Sequence, residues 1–171
     1  MASNFIVYTE HAVVESSDLL ATRYGAHLGH FIDKSADHDN GDIVARNAFY
    51  TDEDNEEVYT VKAPAKTDHV YLILSDPIIY TDYEKKMTEE KNFYNGTGEV
   101  MRGYELKVDD VFTASAKAFA GTPAVGSYVS QDGTTYKMAV SGTLPSDTSF
   151  IGVIYKQANN GSYRVRVIKA D

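Results

Sequence analysis

Two histidines three residues apart, His27 and His30, are the first side chains in this sequence that could do chemistry. On a helix this spacing puts both imidazoles on one side. With Asp37 and His38 nearby in sequence, three ligands and a water would make a zinc site. Gly25 and Gly29 flank the pair and argue against a helix there, which favours loop or surface histidines. The run Asp37-His38-Asp39-Asn40-Gly41 is similar to the opening of a calcium loop. Its glycine comes one position early, and Ala48 stands where the loop's last glutamate belongs. The acidic run from 52 to 57 could collect a hard cation, although a solvated loop is the favoured reading.

Glycoside hydrolysis needs two carboxylates across a sugar cleft. With 25 acidic residues some pair is always at hand, so the type alone selects nothing. No Gly-x-Ser-x-Gly elbow, phosphate-cradling glycine loop or His-Glu-x-x-His is present. Asn95-Gly96-Thr97 and Asn160-Gly161-Ser162 match the glycosylation pattern, but without a signal peptide they read as turn chemistry. Tyr128, Tyr136, Tyr155 and Tyr163 could stack on sugars, as the aromatics of carbohydrate-binding modules do. Cross-strand or core packing is the more ordinary use of tyrosine in strands. The residues therefore give no catalytic, cofactor-binding or metal set, and an enzyme is not expected.

The elements that must carry these residues are mainly β. At 171 residues the chain can bury a substantial core without disulfides, and it has no cysteine. Its net charge of −9 disfavours docking on nucleic acid or anionic lipid, both of which draw on clustered Lys and Arg. No run of about 18 apolar residues suits a bilayer span. No basic segment precedes an apolar one at the start, so a soluble compartment is the expectation.

Along the chain, Phe5 to Tyr8 suggests a short strand or extended arm, and Leu19 to Tyr24 a short helix ending at Gly25. Asn40-Gly41 is a turn before a strand at Ile43 to Ala45. Val58 to Val61 is a further strand, and His69 to Leu74 is the best candidate for a buried central one. Residues 80 to 91 fit an exposed helix or a long loop. Tyr104 to Val108 and Val111 to Ala114 alternate as strands around Asp109-Asp110. Asp132-Gly133 predicts a hairpin from Ser127–Val129 into Thr135–Val140, and Asn160-Gly161 one from Phe150–Tyr155 into Tyr163–Ile168. In the last strand Arg164 and Arg166 point away from Val165 and Val167, so one face is wet. Gly41-Asp42-Ile43-Val44 before Ala48-Phe49 echoes Asp109-Asp110-Val111-Phe112 before Ala118-Phe119, which permits two small modules. The reading is thus an N-terminal arm and short helix (1–36), a β module (37–98) and a second β module (99–171), or one continuous domain. Each module would be a hairpin-rich barrel or sandwich.

The pattern EVMRGYELKVDDVFTASAKAF, then GTPAVGSYVSQDG, then GVIYKQANNGSYRVRVI, resembles the head decoration, or cement, proteins encoded beside the major capsid gene of tailed bacteriophages. Arg102-Gly103-Tyr104 leads into a strand in that comparison, and Asp109-Asp110-Val111-Phe112 stands where Gly-Asp-x-Phe is expected. Asn40 to Val44 resembles the family's entry into its first β region. The likeness spans roughly residues 38 to 168, with Asp109 in place of glycine as a departure. It implies a virion protein on the capsid exterior. Its partner would be the major capsid protein, or also further copies of itself, with no nucleic acid, membrane or cofactor. The arm Phe5, Ile6, Val7, Tyr8, Val13 and Val14, and the loop carrying Asn95, Met101 and Arg102, are the expected contact regions.

Overall fold

The computed structural model describes residues 11–24, 27–51, 57–76 and 90–171. Among these, strands dominate, as the alternating pattern and hairpin signals predict. Five strands close into a barrel: β2 (Leu28–Ile32), β3 (Ile43–Phe49), β4 (Val58–Lys62), β5 (Tyr71–Ile73) and β6 (Val100–Glu105). Around the barrel the order is β2-β4-β3-β5-β6, with β2 and β4 parallel and every other pair antiparallel. Seven more strands form a single sheet: β1 (Val14–Asp18), β7 (Val111–Ala114), β8 (Phe119–Ala120), β9 (Tyr128–Ser130), β10 (Met138–Ser141), β11 (Phe150–Gln157) and β12 (Tyr163–Ala170). Their order is β1-β7-β12-β11-β9-β10-β8.

The barrel is an excursion from this sheet. β1 pairs antiparallel with β7, and the short helix α1 (Leu20–Tyr24) and all five barrel strands lie between them in sequence. Within the segment read as an N-terminal arm and short helix, Val14–Asp18 is a paired strand and Leu28–Ile32 belongs to the barrel. The helix expected at 19–24 is present as α1. β6, which follows the boundary expected near residue 98, closes the barrel. Phe5 to Tyr8, most of the acidic run and most of 80–91 lie outside the described residues.

Period-two alternation assigns the barrel strands' two faces. Phe31, Val44, Tyr71, Ile73 and Met101 fill the barrel's interior, and Ile43, Leu72 and Tyr104 turn outward to join the core beneath the sheet. There they meet Phe112, Val129, Phe150, Ile154, Val165 and Val167, so one apolar core runs through both units. A five-stranded barrel has little room, and two glycines make it. Gly29 and Gly103 are cross-strand partners on β2 and β6. A Cβ on Gly103 would come within 2.5 Å of the Phe31 ring, and one on Gly29 within 2.8 Å. Phe31 is fully buried in that space, a burial that contributes about 2–3 kcal/mol.

Local differences from the sequence reading have local causes. His69 to Leu74 yields only the three-residue β5, which is wholly buried. Tyr104 and Leu106 are buried as alternation predicts, but the strand ends at Glu105 and Val108 is 54% exposed. Asp132-Gly133 does not make a tight hairpin. The Asp132 carboxylate accepts the backbone N–H groups of Thr134 and Thr135, which holds a longer connection, and the strand resumes only at Met138. The β11–β12 hairpin forms as expected, with Gly161 at φ 81 and Asn160 accepting the Ser162 N–H.

Candidate functional site

The segment before β3 gathers the most charge in the interior. His38 is 2% exposed, and both of its ring nitrogens face carboxylates: Nε2 lies 2.9 Å from Asp33 and Nδ1 3.1 Å from Asp42. The Tyr136 ring meets the imidazole edge-on at 4.5 Å. The backbone of His38 exchanges two hydrogen bonds with Asn95, at 2.9 and 2.7 Å, and the Asn95 amide donates to the His38 carbonyl. Lys137 reaches across from the larger sheet, its Nζ 2.7 Å from Asp42 and 3.0 Å from Asp39. Asp39 is also 2.7 Å from His11.

Burial disfavours a charged imidazole, but the hydrogen bonds and charges of Asp42 and Asp33 outweigh it and raise the His38 pKa. Lys137 follows the same balance: burial pushes its pKa down, and Asp42 and Asp39 push it up further. Burial would raise Asp39 and Asp33, yet the cations and donors around them hold both below the usual carboxylate range. This cluster is an ion-paired clasp between the barrel's entry loop, the segment at Asn95 and the larger sheet.

A second carboxylate is built in the same way without the cations. Asp110 is 3% exposed and accepts the backbone N–H groups of Leu20 and Lys107. Burial raises its pKa, only partly offset by those two donors.

The candidate metal and contact residues disperse. His27 pairs with Glu105 at 3.0 Å, His30 is exposed on β2, and His38 is enclosed by carboxylates. Among the described residues no group of three or more His, Cys, Asp or Glu is arranged to hold a metal ion. Val13, Val14, Asn95 and Met101, expected at a contact surface, are buried in the isolated chain. Each is between 2% and 7% exposed, so its side chain is committed to the interior. Arg102 is partly exposed and lies 3.5 Å from Asp76. Tyr136 packs on His38 and Tyr163 on Phe119, whereas Tyr155 lies exposed beneath Arg166 and Tyr128 is partly exposed on β9.

The larger sheet presents an outward face that the sequence reading identified only as wet. Direct register places Tyr128, Val153, Arg166 and Val111 in one row across β9, β11, β12 and β7. A second row holds Lys156, Arg164, Thr113 and Glu15. Residues directly opposite on paired strands share a face, and the alternate positions Phe112, Ile154, Val165 and Val167 line the core. No known protein family, curated protein or solved structure matches this chain.

Proposed function

We propose that this protein binds the outer surface of a bacteriophage capsid and stabilises the shell, with the major capsid protein as its partner. The observation that carries the reading is the conformation of Asp109. The decoration-protein pattern has glycine there, and Asp109 takes the left-handed φ of 72° that glycine adopts without cost. The departure in residue type is thus compatible with a pattern that carries glycine at this position. The same turn recurs at Gly41-Asp42, the other point of resemblance, where Gly41 has φ 98°.

A clamp between capsid subunits works through stiffness and surface. The shared core and the closed barrel supply the stiffness, because neither unit moves without unpacking apolar side chains of the other. The test is to mix the protein with shells that lack it and heat both. Co-sedimentation and a higher disruption temperature are expected. A protein that stays in the supernatant and leaves the shell's disruption temperature unchanged removes the proposal.

A further inference from the structure

Charge is divided unevenly along the chain. Residues 1–100 hold 8 basic and 19 acidic side chains, a net −11, whereas residues 101–171 hold 8 and 6, a net +2. The extreme is the β11–β12 hairpin, where Lys156, Arg164, Arg166 and Lys169 occur between residues 150 and 170 with no acid among them.

Both strands of that hairpin are interrupted, and the interruptions fall at its two exposed large apolar residues. β11 carries one extra residue, Tyr155, between the pairs Ile154↔Val165 and Lys156↔Arg164. β12 carries Ile168 between Val167↔Gly152 and Lys169↔Ile151. Tyr155 is 38% and Ile168 40% exposed. A bulge re-aims a side chain at some cost in ladder hydrogen bonding. Here each bulge displays an apolar group that regular pairing could have left half-covered. Arg166 lies over the Tyr155 ring, 5.3 Å from its centre. Beside them a groove runs between β1 and the hairpin turn, lined by Lys156, Arg164, Glu15 and Asn159.

The acids near this face are few. Asp18, in register with Val111, pairs with Arg23 at 2.6 Å and Asp171 with Lys169 at 2.9 Å; Glu15 lines the groove, and the exposed Asp109 stands at the turn bonded to Val167. Among the described residues, this strongly acidic protein therefore carries a basic face with an aromatic and aliphatic centre. Tyr and Arg around a small apolar patch are the residue types enriched where interfaces bind most tightly.

We propose that the outward face of β9, β11, β12 and β7 is the docking surface, and that it takes an acidic patch of the outer shell surface. The inference rests on the decoration reading above. The acidic remainder of the molecule repels such a patch while this face attracts it, so the charge distribution orients the approach as well as strengthening it.

The experiment is co-sedimentation with nuclease-treated shells that lack the protein, at low and high salt. It compares the wild type, R164E/R166E, Y155S/I168S and the control K117E. Lys117 lies in the 3₁₀ turn whose Ala118 packs beside Gly41, on the barrel side of the sheet. The proposal expects wild-type and K117E binding that weakens with salt, and losses of about tenfold or more for both double variants. Thermal melts of each variant alone establish that it is folded. Wild-type binding retained in full by both folded double variants overturns this surface while leaving the decoration reading intact. A wild type that does not bind shells overturns both. Sedimentation without shells, or binding abolished by the nuclease treatment, assigns the face to self-association or nucleic acid and also overturns the proposal.

Discussion

Asp42 and Asp110 occupy the same position in two copies of one turn. Gly41 donates its N–H to the Ile73 carbonyl and Asp42 accepts from Ile73 N–H, both at 2.8 Å. Asp109 and Asp110 make the same pair of bonds with Val167, both at 2.9 Å. Each aspartate also donates its N–H to the carbonyl three residues back, Asp39 or Lys107, while its carboxylate accepts the N–H of that residue. The copies differ at the residue before. A Cβ on Gly41 would sit 2.7 Å from Val14 and 2.9 Å from Ala118, so glycine is required there. Asp109 carries its Cβ at the equivalent point, so the second copy needs the glycine conformation without the glycine.

The twins should respond differently to removal of charge. Asp42→Asn removes one of the two carboxylates that face each of His38 and Lys137 and should cost about 2–4 kcal/mol. Asp110→Asn keeps an acceptor for one backbone donor and removes an ionised group that burial disfavours, so about 1 kcal/mol or less is expected. Urea denaturation of both variants decides it, and equal losses would refute the distinction.

Asp109→Gly should stabilise by up to about 1 kcal/mol, since it relieves a left-handed side chain, and Asp109→Val should destabilise by more than that. Thermal unfolding gives the order directly.

Stability should fall toward alkaline pH through His38. Its folded pKa lies above its unfolded value, so its contribution is fully present below about 6.5. That contribution is lost as pH rises through the raised folded pKa. At the acid end the depressed Asp33, Asp39 and Glu105 contribute above their ordinary pKa values and cease to contribute as pH falls through the depressed ones. Melting temperatures from pH 4 to 9 should thus show a maximum in the acidic-to-neutral range. His38→Gln should be less stable and should lack the alkaline decline; a variant with the same alkaline slope as the wild type would acquit His38.

Gly103→Ala should cost about 1–3 kcal/mol by driving a methyl group into the Phe31 ring. Phe31→Leu on that background should recover part of the loss, because the smaller side chain vacates the contested volume. A double-mutant cycle measures the coupling, and strict additivity would mean that the two residues do not compete for space.

Much of the fold was legible in the residues. Alternation and Asn-Gly gave β11 and β12 with the correct face inward, and the short helix at Leu20–Tyr24 followed from its neighbours. The echo between Gly41-Asp42 and Asp109-Asp110 was visible as sequence and is now a shared hydrogen-bond pattern. Long-range pairing was not legible. Nothing local to Val14 announces Ala114 as its partner, and nothing in Leu28–Ile32 announces a barrel. The clasp went unseen for the same reason, since Lys137 stands far along the chain from Asp39 and Asp42. A usable signal did exist for the outward face: a stretch without acids in an acidic chain.

The insertion of the barrel between β1 and β7 sets an order of events during synthesis. Val14 pairs with Ala114, so β1 leaves the ribosome long before β7, its neighbour in the sheet among the described residues, exists. Every barrel strand is available before β7 is, and the barrel can close while β1 waits. Sequence-distant pairing of this kind is slow to form. The Leu20 N–H held by the Asp110 carboxylate, 2.8 Å long, ties the start of the excursion to its end. It can form only when the barrel chain has been made, and it holds the end of β1 beside the start of β7.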